Sequence, residues 1–314
     1  MRRSEVAHVL TVVPNYYDTF RCIGGACRHN CCIGWEIGID DEALVRYRAM
    51  SGAFGERFVR AVSEEDGAHF VTDEAGRCPF LNRHGLCDIQ ATFGEPYLCD
   101  ICREHPRFHN ELPDRTESGL GLCCEAAARL ILSQSEPMTL VGDSEETTDE
   151  IVAWRDTVLS LLQERSRTID ERIEAVLAYC EATMPNAYLV EWAEALLSLE
   201  RLDERWAEAL LTLRDGNEAV SSAIPPSAYE QLLVYFVYRH AANAADRQGF
   251  ATRVCFAVLG YRLIGALTAA ADGDFDTFCD LARAFSAEIE YSDENFDIVL
   301  ELLGGVYHGS DIDG

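Results

Sequence analysis

The sequence predicts a mainly α protein in two parts, a cysteine-rich module with short strands followed by an α-helical bundle. Three observations carry this. Ten of the thirteen cysteines in a chain of 314 residues fall between Cys22 and Cys124. Beyond about residue 150, apolar residues recur at three-and-four spacing in long segments, as in helices that bury one face. Between the two, residues 134–149 hold Pro137, Gly142 and an acidic Ser/Thr-rich run, the composition of a boundary. The expected division is a module over 1–140 and a helical domain over 141–314.

Taken in order, a basic start (Arg2, Arg3) runs into apolar residues 9–13, too short a stretch for a signal peptide. Residues 35–39 alternate as a strand does, and Asp40-Asp41-Glu42 then opens a helix that runs to about Met50, its acids at the positive end. A helix and a small hairpin are expected over 51–77. Residues 78–89 read as two short strands around an Asn-Arg-His-Gly turn. An Ala-rich helix starts at Glu125. The bundle then reads as helices over 151–165, 169–182, 188–213, 227–245, 250–271 and 274–289, with a last one over 295–303. Residues 250–271 are the most apolar of all. Arg253 and Arg262 interrupt them, so the segment reads as a buried helix rather than a membrane span.

Apolar residues make up 48% and charged residues 25%, ordinary values for a folded chain that can build a core without disulfides. The net charge of −28 argues against a nucleic-acid partner, whose phosphates it repels, and favours a cationic ligand or a lysine-bearing surface. All 26 basic residues are arginine. Codon bias in a GC-rich genome is the plain explanation. The sharper one is an enzyme that modifies lysine and carries no target of its own.

An odd number of cysteines does not suit a fully paired secreted framework, so thiolates holding a metal in a reducing cytoplasm are expected. Thiolate is a soft donor that suits zinc and iron–sulfur clusters, four to a site. Only Cys99 and Cys102 have the two-residue gap common in zinc sites. The looser Cys22-x4-Cys27-x3-Cys31 run, with Gly24 and Gly25 freeing the backbone, favours an iron–sulfur cluster, zinc being the alternative. Arg28, Arg103 and Arg107 lie close in sequence to ligands whose charge they can offset. Adjacent side chains diverge, so the doublets Cys31-Cys32 and Cys123-Cys124 are not expected to give both members to one site. Cys180, Cys255 and Cys279 read as small buried hydrophobes.

These residues carry a resemblance. The succession Pro14-x-Tyr16-Tyr17-x-x-Phe20-x-Cys22-Ile23-Gly24, Cys27-x3-Cys31-Cys32-x2-Trp35, Cys78-Pro79-Phe80-Leu81, Gly85-Leu86-Cys87-x-Ile89, Gly94-Glu95 and Cys102-x3-Pro106-Arg107 resembles the flagellin lysine-N-methylase family, itself related to zinc- or iron-chelating cysteine-rich proteins. A weaker likeness continues at Leu233-x-Tyr235-Phe236-x-Tyr238-Arg239 and at 289–295. The resemblance implies methyl transfer from S-adenosylmethionine to lysine side chains of flagellin or another lysine-bearing protein, by an enzyme carrying a [4Fe–4S] cluster. The cysteines that match are Cys22, Cys27, Cys31, Cys32, Cys78, Cys87 and Cys102, with Cys124 less closely; Cys99 and Cys123 have no place in the pattern. Among these, Cys27, Cys31, Cys78 and Cys102 rank first as ligands.

Methylating an amine requires in-line placement of donor and nucleophile and removal of the ammonium proton. Tyr16, Tyr17 and Asp18 stand before the first cysteine and Glu125 after the last, and each is a candidate proton acceptor; core packing is the plainer role for the tyrosines. The strand, glycine-rich loop and helix of the usual nucleotide site are not legible. Gly119-Leu-Gly121 precedes a helix but follows no convincing strand. An open iron position is then one place for the donor's methionine end. The competing readings are a non-catalytic zinc- or iron-binding protein and a helical adaptor with a structural metal. The sequence does not determine the oligomeric state.

Overall fold

The computed structural model describes residues 10–65, 67–142, 147–185, 187–216 and 218–304, so the basic start considered above lies outside the described residues. In chain order the elements are β1 (Leu10–Pro14), β2 (Ile37–Gly38), α1 (Asp41–Arg48), α2 (Gly52–Ala61), β3 (Val62–Ser63), β4 (His69–Phe70), α3 (Asp88–Phe93), α4 (Asp100–Glu104), β5 (Arg107–Glu111), β6 (Arg115–Leu120), α5 (Glu125–Leu132) and β7 (Leu140–Gly142). The helices α6 (Glu150–Leu162), α7 (Ile169–Cys180), α8 (Leu189–Leu197), α9 (Glu204–Leu211), α10 (Pro226–His240), α11 (Arg247–Ala270), α12 (Phe275–Phe285) and α13 (Asp293–Gly304) follow, with a π turn at Ser286–Glu290 before the last. The fold is mainly α, as the periodicity predicts.

Two compact units divide the chain. The smaller spans Arg21–Phe108 and takes in Cys124–Ala126, inside the expected 1–140 module. Its core is a stack of rings from separate elements: Tyr47 on Phe58 at 4.2 Å, Phe58 on Phe80 at 4.4 Å and Phe70 against Phe80 at 5.2 Å. Each such pair adds about 0.5–1.5 kcal/mol beyond area burial. The strand expected at 35–39 is there as β2, paired antiparallel to β4, and β3 pairs with the other edge of β4.

The larger unit holds the remaining described residues. β1 pairs parallel with β6 and antiparallel with β7, in a sheet ordered β5-β6-β1-β7. This pairing lodges the first strand with the bundle rather than with the cysteines. β6 corrects the expectation that no strand precedes Gly121. Its sequence Arg-Thr-Glu-Ser-Gly-Leu conceals it, because its polar residues are buried: Arg155 on α6 grips Glu117 at 2.6 and 2.8 Å, with both side chains fully enclosed.

α10 and α11 form the bundle centre. Nearly every residue of α10 is buried, including Glu230, which Arg165 and Arg172 neutralise at 2.8 and 2.7 Å. α11 is long and apolar enough by composition to cross a membrane, but 89% of its apolar window is buried inside the protein, as the sequence reading expects. Gly260 lets the two helices close, since a Cβ there would lie 2.7 Å from the Phe236 ring. The single helix expected over 188–213 is two, because Glu288 accepts both the Leu202 and the Asp203 N–H at 2.9 Å and stabilises the break between them. The helix expected over 274–289 likewise ends in the π turn.

Candidate metal centre

Three backbone devices bring cysteines together in the smaller unit. The first is the loop from Cys78 to Cys87, closed by an antiparallel bridge between Leu81 and Cys87. Asn82 folds its tip, its side-chain oxygen accepting the His84 and Leu86 N–H groups at 2.9 and 3.1 Å. Gly85 there has φ +71°, which a side chain would strain. Arg57 on α2 clamps both ends of this loop, donating to the Pro79 carbonyl and to the Asp88 carboxylate at 2.7 Å each while lying 4.7 Å over Phe80.

The second device is the turn from Cys99 to Cys102, held against α1. Asp40 caps α1 through the Ala43 N–H at 2.8 Å and also accepts the Asp100 N–H at 2.7 Å. Arg46 and Tyr47 donate to the Leu98 and Tyr97 carbonyls at 3.2 and 2.8 Å. The third is the Cys31-Cys32 doublet. Cys78 N–H donates to the Cys32 carbonyl at 2.8 Å, and Asn30 ties the doublet to the loop by accepting from Cys32 N–H and donating to the Gly85 carbonyl.

The result is one basin of six thiols: Cys31, Cys32, Cys78, Cys87, Cys99 and Cys102. Cys32 feels the charge of Cys31, Cys78 and Cys87; Cys102 feels that of Cys99, Cys32 and Cys78. Two hydrogen-bonded pairs lie within it. The Cys32 thiol donates to Cys31 and lowers it to about 7, while Cys32 itself is pushed up by that bond and by burial. Cys102 donates to Cys99 in the same way, lowering Cys99 and rising itself. Burial pushes Cys78 up to about 11, opposed by N–H groups of Phe80 and Leu81 aimed at its sulfur, and burial of Cys87 is opposed likewise by Gln90 and Ile89. Such N–H donors stabilise charged sulfur, as they do around metal-bound thiolates.

Cys22 and Cys27, which also match the family pattern, have other neighbours. Cys22 is exposed and accepts the Gly24 N–H at 3.4 Å. Cys27 sits with Cys124 and Glu125, its thiol 3.6 Å from Glu125 Oε2, and is pushed up to about 12, chiefly by burial. Glu125 is engaged by Arg28, whose N–H and guanidinium donate at 2.8 and 3.0 Å; these bonds outweigh burial and keep the carboxyl below its ordinary range. Cys123 belongs to the larger unit. So do Tyr16, Tyr17 and Asp18. Tyr16 is buried, which pushes its phenol far up and disfavours the phenolate; Tyr17 is half-buried and Asp18 exposed. Cys99 joins the basin although it has no place in the family pattern; its two-residue gap to Cys102 was the available signal.

Among the described residues no disulfide forms and no three His, Cys, Asp or Glu side chains converge as the ligands of one ion. The donor set fits a thiolate-held metal in kind: soft sulfurs at the edge of a packed core, with N–H groups directed at them.

Over 138 residues, 40% of its length, the chain is 28% identical to proteins named Lysine-N-methylase from Salmonella typhimurium and Salmonella choleraesuis. The chain is similar to the lysine-N-methylases. The match spans 33% of each, so the chain covers about a third of the length of these relatives. The same identity over 138 residues relates it to the Flagellar biosynthetic protein FliU of Salmonella muenchen, of which the match spans 79%. No family model and no solved structure matches the chain. The likeness to lysine-N-methylases and FliU supports a general methyltransferase-like reading. The two C-terminal stretches of the resemblance also meet in the larger unit, where the Tyr235 hydroxyl donates to Glu290 at 3.1 Å.

Proposed function

We propose that this protein transfers a methyl group from S-adenosylmethionine to lysine side chains of flagellin or another lysine-bearing protein, in the reducing cytoplasm, with a [4Fe–4S] cluster held by the thiol basin. The observation that carries the reading is the match to the lysine-N-methylases, supported by six thiols left unpaired by disulfides in one basin. The lysine nitrogen forms its bond to the methyl carbon as the carbon–sulfonium bond breaks, so S-adenosylhomocysteine leaves. The ammonium must give up its proton first.

In this reading Cys32, Cys78, Cys87 and Cys102 are the ligands, since the charge of Cys78 and Cys87 acts on Cys32, that of Cys87 on Cys78, and that of Cys32 and Cys78 on Cys102. Cys31 and Cys99 stand behind as hydrogen-bond partners. When bound, the cluster supplies a covalent staple that ties the doublet, the loop and the turn into one body. The chain's own groups do the rest of the holding: Arg57 fixes the loop, Asp40 fixes the turn, and Asn30 fixes the doublet. The acidic surface favours the lysine ammonium as it arrives.

Co-expression with flagellin tests the proposal. Mapping of flagellin peptides by mass spectrometry is expected to reveal methylated lysines that are absent without this chain. Unmodified flagellin in both cultures would overturn it.

A further inference from the structure

Asp88, the residue after Cys87, joins the base of the Cys78–Cys87 loop to its tip. Its Oδ2 accepts from Arg57 Nη1 at 2.7 Å, and its Oδ1 accepts from the Asn82 amide at 2.9 Å. Arg57 reaches the other arm with its second terminal nitrogen, which donates to the Pro79 carbonyl at 2.7 Å. Asn82 in turn holds the tip, its side-chain oxygen accepting the His84 and Leu86 N–H groups. One carboxylate therefore ties both arms and the tip, and neither sulfur takes part. All of these residues lie within the smaller unit.

The two arms are built alike. Each cysteine stands two residues before a buried anchor, Phe80 after Cys78 and Ile89 after Cys87. Each sulfur faces the N–H groups two and three residues on, from Phe80 and Leu81 in one arm and from Ile89 and Gln90 in the other. Phe80 packs on Phe58 at 4.4 Å and against Phe70 at 5.2 Å, which roots the first arm in the aromatic core. The Asp88 N–H donates to the Phe80 carbonyl at 2.8 Å and the Asn82 N–H to the Leu86 carbonyl at 2.9 Å, so the arms run side by side. Packing, backbone pairing and one ion pair thus fix the separation of the two cysteines without a metal. The Arg57 and Asp88 side chains are 34% and 26% exposed. At that exposure the charge attraction adds little to overall stability, so what the pair supplies is geometry.

We propose that Asp88 is a positioning residue of the metal centre: with Arg57 and Asn82 it sets Cys78 and Cys87 in place before metal arrives, making the loop a preformed two-thiolate half. The doublet and the turn then close on that half. The doublet already leans on the loop, through the Cys78 N–H on the Cys32 carbonyl and the Asn30 amide on the Gly85 carbonyl. Groups behind the ligands of a metal act in this way, orienting the donors without touching the ion. A carboxylate is suited to the task because it offers one acceptor oxygen to each partner, where an amide offers a single oxygen. The inference rests on the thiol-held centre proposed above and deepens it by naming what arranges two of its ligands.

Cobalt(II) titration of the full chain, reduced and freed of metal under anaerobic conditions, tests it, because thiolate-bound cobalt has an absorption band that aqueous cobalt lacks. The wild type is expected to show the band. Asp88→Ala is expected to weaken cobalt binding roughly tenfold to a hundredfold, as removal of a group behind a metal ligand does. Asp88→Asn keeps one acceptor, should lose less, and serves if the alanine variant does not fold. Glu64→Gln removes the carboxylate partner of Arg48 in the same unit and is expected to bind cobalt as the wild type does. A merely structural Asp88 would lower the melting point of the metal-free chain and leave cobalt affinity where it was. Equal cobalt affinity in wild type and both Asp88 variants, or an equal loss in Glu64→Gln, overturns the assignment while leaving the centre standing. A wild type without the band overturns the thiol-held centre, and the assignment with it.

Discussion

Replacing Glu117 by Gln removes one charge from a pair that water does not reach. Arg155 grips Glu117 through two bonds, at 2.6 and 2.8 Å, and neither side chain has any exposed surface. Arg155 also lies 5.3 Å over the Tyr238 ring and donates to Asp156 at 2.8 Å. A unit-charge pair about 4 Å apart at an effective dielectric near 20 is worth about 4 kcal/mol. Stranding one member of such a pair costs about 3–5 kcal/mol, because the remaining charge stays buried. Asp156 still offsets Arg155, so the lower end, about 3 kcal/mol, is expected. In urea this corresponds to a midpoint about 1 M lower at a slope near 3 kcal/mol/M. The double variant Glu117→Leu with Arg155→Met removes both charges and is expected to recover most of the loss. A Glu117→Gln midpoint equal to the wild type's would refute the claim that this polar strand is core.

Three further outcomes follow from particular contacts. Gly121→Ala drives a methyl into the Tyr291 hydroxyl and should lower stability by about 1–3 kcal/mol in thermal denaturation. Adding Tyr291→Phe removes the clashing oxygen and should return part of it; an unaltered melting point for Gly121→Ala would contradict the packing. His105 is lowered by burial from 6.5 to about 4, so the folded chain keeps it neutral where the unfolded chain protonates it. Its contribution is therefore whole above pH 6.5 and is lost as pH falls from there towards 4. His105→Gln should flatten the decline of the urea midpoint over that window, and an identical decline would count against the burial. Among the thiols, Cys32→Ser and Cys78→Ser should strip metal from anaerobically purified protein, whereas Cys22→Ser and Cys180→Ser should retain it, as read by iron and zinc analysis. Retention in all four would move the metal elsewhere.

The helices were largely legible because a single physical signal sets each of them. Residues 232–238 of α10 and most of α11 are apolar and buried at the centre; Asp40 caps α1 as its sequence announces. What escaped depends on partners remote in sequence. β6 looks like a loop until Arg155 neutralises Glu117, and the break between α8 and α9 is stabilised by Glu288, more than eighty residues away. The thiols divide along the same line. Their number and softness give the kind of ligand, but which of them meet is decided by Arg57, Asp40 and Asn30, whose bonds no spacing rule encodes. Hence Cys99 pairs with Cys102, and Cys27, ranked among the first ligands from its pattern, has Glu125 beside it. Tyr235, Arg239, Glu290 and Tyr291 were visible only as weak likenesses, because their roles arise when α10 and the π turn come together.

Methyl transfer to lysine is the central claim. Purified protein, prepared anaerobically, would be incubated with methyl-labelled S-adenosylmethionine and either native flagellin or flagellin with every lysine changed to arginine. Label is expected on the native substrate alone, in methyl-lysine. No label on either, or equal label on both, would contradict the central claim.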